Sequence, residues 1–224
     1  TLGASITAAS TGSSATGNNI SFTSTVNGTT ANTESMTLNS GSSGTISVTG
    51  IVGGSVSLKT LTITNSGGAT FSAAVNTGTS VVITSSSSGA NITFSGALTT
   101  ATLDVGAAAY NLSLPASSGT VTNAVTFANT GTLRLGVASG SQTYSGGVTA
   151  VSPSAITLYG SFAMGGVTEI GDANSGVTLA AATTISSATA NANITIGGAL
   201  TGANYALTLD AGTATIAFSS TASG

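Results

Sequence analysis

Short triplets punctuate the chain, each setting one residue, usually a hydroxyl, between two apolar ones; this is the two-residue period of a strand with one buried face. In order they are Ile20-Ser21-Phe22, Ile46-Ser47-Val48, Ala69-Thr70-Phe71, Ile92-Thr93-Phe94, Leu112-Ser113-Leu114, Leu133-Arg134-Leu135, Ile156-Thr157-Leu158, Val177-Thr178-Leu179, Ile194-Thr195-Ile196 and Ile216-Ala217-Phe218. They recur at spacings of 17 to 26 residues, about 22 on average, which is the signature of a repeat architecture. Helical spacing is absent. A second set, including Met36-Thr37-Leu38, Leu61-Thr62-Ile63, Ala101-Thr102-Leu103, Val125-Thr126-Phe127 and Leu207-Thr208-Leu209, places at least two short strands in many periods.

Strands this short, joined by Gly, Ser and Asn turns, suit a parallel β-helix in which each strand pairs with its counterpart one coil away. A sandwich or up-and-down barrel would use longer strands and would need no such period. The expectation is an all-β, single-domain parallel β-solenoid over residues 1–224, with about ten coils of roughly 22 residues and an irregular course allowed for residues 1–18. At ~4.8 Å per rung such a rod is about 43 Å long. Asn91–Thr99 and Asn193–Thr201 agree at seven of nine positions, 102 residues apart. That separation spans five marked intervals and reads as in phase with the repeat. Eight of the ten middle residues are hydroxylated, so the outer face is expected to be neutral and hydroxyl-rich.

Composition narrows the function. The chain has seven charged residues, 3% of the total, and no Cys, His or Trp, beside 36 Ser and 42 Thr. It therefore lacks a thiolate nucleophile, a disulfide framework, the usual zinc ligands and an imidazole base. Two cations cannot neutralise a run of phosphates, so nucleic acid and anionic membrane surfaces are not expected partners. Mean hydropathy is +0.45, yet no apolar run approaches the ~18 residues of a membrane span, and no membrane insertion is expected. The chain opens at Thr1 rather than Met, which fits a processed chain.

The charged residues are Glu34, Lys59, Asp104, Arg134, Glu169, Asp172 and Asp210. Glycan-cleaving β-helix enzymes such as pectate lyases and polygalacturonases gather carboxylates on one face of neighbouring coils. Asp104 and Asp210 lie five coils apart, about 24 Å along the rod. Paired carboxylates of a glycosidase lie within about 5–10 Å. Both aspartates instead share a T-L-x-x-G pattern with Asn39 and Arg134, which reads as a strand end and turn. Glu169 and Asp172, with Gly171-Asp172-Ala173-Asn174-Ser175-Gly176, lack the final bidentate acid of a calcium loop. Lys59 could join an intramolecular isopeptide bond only if an Asn and an acid met it. The reading is no catalytic, cofactor-binding or metal-binding residues, no cofactor and no enzymatic activity.

Three surface patterns remain. Sequons occur at Asn19, Asn27, Asn91, Asn111 and Asn193, as chance allows in a Thr-rich chain. Thr77/Thr79, Thr100/Thr102, Thr120/Thr122 and Ser141/Thr143 each begin six residues after a triplet end, and resemble the threonine arrays of β-helical ice-binding proteins. Thr60/Thr62, twelve residues after its mark, falls out of this series, as do Gly54 and Met164 at the equivalent offset. A four-rung ladder is expected there. Tyr110, Tyr144, Tyr159 and Tyr205 could line a sugar-binding strip, although tyrosines scattered in this way more often serve strand or turn packing.

The N-I-[ST]-[FI] strands at 19, 91 and 193, the Gly-Ala-Leu-Thr turns and the poverty in Cys and charge resemble the β-helical repeat regions of haemagglutinin-like surface adhesins and autotransporter passengers of Gram-negative bacteria. The resemblance implies a right-handed β-helix, an extracellular or cell-surface position, and a role in adhesion, matrix or fibre formation. The expectation is an extracellular structural protein that stacks end to end, with itself as partner. The alternative is an adhesin stalk binding glycan or other cells.

Overall fold

The computed structural model describes residues 1–11, 15–202 and 204–220, and the backbone of 222–223. Its regular structure is all β, a single-domain solenoid of about nine turns whose parallel strands pair at a spacing of ~23 residues.

Three stacked faces make the coil. The first carries Ile20–Phe22, Ile46–Val48, Ala69–Phe71, Asn91–Phe94, Asn111–Leu114, Thr132–Leu135, the leading halves of Ala155–Met164 and Gly176–Ser186, Leu200–Thr201 and Ala222–Ser223. The second begins with bridges at Leu2, Val26 and Val52 and continues through Val75, Leu98–Thr100, Gly119–Val121, Ser141–Tyr144, the trailing halves of those two long strands, and Leu207–Asp210. The third holds Ile6–Ala9, Met36–Asn39, the ends of Leu58–Asn65 and Val75–Ile83, Thr102–Val105, Val125–Thr126, Val148–Ala150, Thr168–Ile170, Ile194–Ile196 and Ile216–Phe218. Of the segment 1–18, for which an irregular course is expected, Ile6–Ala9 lies within the stack, while residues 12–14 lie outside the described residues.

Alternation decides which side chains enter the core. Along Gly176–Ser186 exposure switches at nearly every residue, with Val177, Leu179, Ala181, Thr183 and Ile185 inside. Inner residues form columns along the axis: Ile46, Ala69, Ile92, Leu112, Leu133, Ile156 and Val177 are all buried on the first face. One rung spacing is also a comfortable ring separation, so Phe71 and Phe94 stack with centroids 4.7 Å apart and planes 5° from parallel.

The eight triplets from Ile20 to Leu179 fall on the first face. Ile194-Thr195-Ile196 and Ile216-Ala217-Phe218 belong to the third, and the true first-face successors are Leu200–Thr201 and Ala222–Ser223. The 17-residue interval is therefore a change of face. The matching nonapeptides are likewise out of phase: Asn91–Thr99 turns from first face to second, Asn193–Thr201 from third to first. They share a way of turning a corner. A Cβ at Gly96 would lie 2.2 Å from the Ala73 carbonyl carbon, and one at the equivalent Gly198 would lie 2.0 Å from the Ser175 carbonyl oxygen. The strand–glycine–strand segment bends where the adjacent turn sits too close for any side chain, and it serves at either corner.

Phe94 is 1% exposed and stacked, whereas Phe218, in the last described rung, is 50% exposed. Phe94→Ala is expected to cost about 3–5 kcal/mol in chemical denaturation, and Phe218→Ala far less. Equal losses would contradict this assignment of inner columns.

Candidate functional site

The continuous outer feature is a hydroxyl column on the first face. Ser21, Ser47, Thr70, Thr93, Ser113, Arg134, Thr157, Thr178 and Thr201 stand in direct register, and Ser223 continues the backbone pairing. Arg134 is its one charge, and its guanidinium lies 4.6 Å from the centre of the Tyr159 ring. The ring's electron-rich face offsets part of the desolvation of a half-buried cation. This packing, rather than a turn role, is what the residue type at 134 serves, although the following Gly136 does take positive φ.

The expected threonine ladder on the second face is not in register. Thr77 donates its hydroxyl to Thr100 at 2.8 Å, but both are buried. Thr100 then stacks on Val121, and Val121 on Tyr144, while Thr102 lies on the third face against Ser80. The outward column is instead Thr99, which is exposed, then half-buried Thr120 and Thr143, ending at Ala163. The cause is corner length: one extra residue after Leu114 exchanges inner and outer side chains at Thr120, and two more after Leu135 bring Thr143 rather than Ser141 beside it.

The acids do not converge. Asp104 points outward on the third face beside Val82, Glu169 stands between Thr149 and Thr195 on that face, and Asp210 lies on the second face beside Ser186. Among the described residues no group of three acids could share a metal ion. Asp210 Oδ1 accepts from Gly212 N at 3.0 Å, Asn39 Oδ1 from Gly41 N at 3.1 Å and Asp172 Oδ1 from Asn174 N at 2.8 Å, each organising its own turn. Asp104 departs from that reading: it sits inside Thr102–Val105, and Gly106 does not take positive φ. Lys59 is exposed and hydrogen-bonds through its backbone to Glu34 O. The Glu34 carboxylate is buried and accepts from Thr29 N at 3.1 Å and Thr30 N at 3.3 Å, closing the corner between the second and third faces.

The asparagines hold the turns together. Asn111 Oδ1 accepts from Thr132 N at 2.9 Å and Thr132 Oγ1 at 3.0 Å, while its Nδ2 donates to Gly89 O at 3.2 Å and Asn91 Oδ1 at 3.1 Å. One side chain spans three turns. Asn19 accepts from Thr45, Asn27 from Ser55 and Asn193 from Thr215, so all five sequon asparagines engage the neighbouring turn. The visible signal was an Asn placed two residues before an outward hydroxyl in the N-I-[ST] strands.

Inside, Tyr144 donates its hydroxyl to Gln142 Oε1 at 3.0 Å, and Gln142 Nε2 donates to Leu114 O at 2.8 Å and Ala116 O at 3.1 Å. A cavity of about 10 Å³ beside them has room for roughly one water, far below the ~300 Å³ of a small-molecule site. Burial raises the Tyr144 hydroxyl above the ordinary tyrosine range; Tyr110 rises through burial first and then through the Asp104 carboxylate. Tyr205 is exposed and Tyr159 faces Arg134, so the four tyrosines form no common strip. No family model matches the chain, and no curated protein or solved structure does either.

Asn111→Ala is expected to lower stability by about 1–3 kcal/mol, more than Thr93→Ala on the same face, as read by denaturant titration. A second expectation concerns alkali. Both raised groups hold their protons more tightly when folded, so their stabilisation is complete below the unfolded value near pH ~10 and falls as pH rises beyond it. Tyr110 and Tyr144 should yield tyrosinate absorbance only as the chain unfolds, and Tyr110→Phe or Tyr144→Phe should each reduce the alkaline loss of stability.

Proposed function

We propose that the chain is a non-enzymatic extracellular structural protein, a β-solenoid subunit or segment that stacks end to end into a cell-surface or matrix filament. The observation that carries this reading is the state of the last described turn. Ile216 is 41% and Phe218 50% exposed, although their column neighbours Ile194 and Ile196 are 0% and 1% exposed. Inner-column apolar residues left exposed, on strands whose outer edge pairs with no described residue, are a template for another rung. The neutral hydroxyl column supports the same reading, since it gives weak repulsion between rods lying side by side.

A second reading, an adhesin stalk binding glycan or a host surface, is favoured by Arg134 on the hydroxyl column and the Tyr159 ring packed against it. A glycan array would separate the two. For the leading reading, negative-stain microscopy of the purified chain at high concentration and near neutral pH is expected to show filaments, and Phe218→Lys to shorten them sharply. Dispersed short rods alone would count against it.

A further inference from the structure

We infer that Arg134 and Tyr159 form a subsite for the carboxylate of an acidic sugar; this rests on the second reading above, in which the solenoid binds glycan. Arg134 stands mid-column on the first face, with Ser113 one rung before it and Thr157 one rung after, both in direct register. Its guanidinium lies 4.6 Å from the centre of the Tyr159 ring, and its Nε is enclosed without a hydrogen-bond partner. Among the described residues no carboxylate pairs with Arg134 and no oxygen accepts from it. The acids on strands lie on other faces, Asp104 and Glu169 on the third and Asp210 on the second. A half-buried cation is thus held by a ring while its charge meets no opposite charge in the protein.

A guanidinium carries its N–H donors in one plane, a fork that matches a carboxylate with two parallel bonds. Packing on the ring restricts the long side chain beforehand, so less ordering remains for the moment of binding. On each side the column offers a hydroxyl one rung away, at ~4.8 Å. Ser113 and Thr157 are half-buried, and among the described residues neither hydroxyl is taken by a protein partner. Such groups donate or accept, as the hydroxyls of a sugar do. One cation between neutral hydroxyls suits a ligand with a single carboxylate flanked by neutral polar groups, which is the chemistry of a uronic acid. A densely charged polyanion would find one cation on this column, in a chain of net charge −3.

Titration calorimetry tests the site with two probes, an oligogalacturonate and a hyaluronan fragment, each beside its methyl-esterified form. At least one acid is expected to bind, its ester to bind about tenfold more weakly, and added salt to weaken the acid alone. Arg134→Gln is expected to remove the preference for the acid. Arg134→Lys, which keeps the charge without the fork, should lose part of it, and Tyr159→Phe, which keeps the ring, should retain it. Far-UV circular dichroism checks that each variant keeps its fold. Acid and ester binding equally, an acid preference that survives Arg134→Gln, or glycan-array hits confined to neutral or sulfated sugars would overturn the carboxylate subsite and leave the glycan-binding reading standing. No binding of acid or ester, together with an array without hits, would overturn both.

Discussion

Paired strand residues in this fold sit directly against their counterparts one turn away, at the ~4.8 Å spacing that parallel backbone pairing imposes. Shape and charge must therefore be compatible along columns rather than across a globular core. Column mates on the first face run Ile46, Ala69, Ile92, Leu112 and Leu133, apolar throughout but not identical. Hydroxyls fill the outer column because Thr suits a strand and its oxygen meets water or a neighbour without repulsion. Column stacking also selects glycine at tight corners, where Gly96 and Gly198 leave no room for a side chain.

Turn length is free to vary only where strands are not. First-face rungs lie 26 residues apart between Ile20 and Ile46 but 20 apart between Ile92 and Leu112, yet both pairs remain in register. The surplus goes into corners. A long corner exposes more backbone, and the structure closes it with side chains, as Glu34 does for Thr29 and Thr30 and Asn111 does between Gly89 and Thr132. Strand register is defended in this way because an offset of one residue would exchange apolar and polar faces.

The same asymmetry governs what was legible in the sequence. Apolar alternation marks inner positions, so the all-β solenoid and the outward hydroxyls could be read from the triplets. Face assignment could not, since Ile194-Thr195-Ile196 and Ile92-Thr93-Phe94 are chemically alike and differ only in which corner precedes them. The threonine ladder failed for this reason: offsets from a mark ignore one extra corner residue after Leu114 and two more after Leu135. Asn111 looked like a chance sequon because its partners, Gly89 and Thr132, lie about a turn away in either direction. Arg134 matched the turn pattern at Asp210 by spelling, although its ring partner Tyr159 lies in the next turn.

Scarcity of charge follows from the column rule. Asp104 is paired with Val82, Glu169 with Thr149 and Thr195, Asp210 with Ser186, and Arg134 with Ser113 and Thr157. Each of these four charges is paired in register with neutral residues. Two like charges in neighbouring rungs would face one another at the rung spacing with little freedom to separate, so charges are tolerated singly. A chain built from about nine such turns can therefore carry few of them. The constraint that keeps adjacent rungs compatible also makes an end rung compatible with any rung of similar pattern. Exposed Ile216 and Phe218 differ from their buried column neighbours by position, not by type.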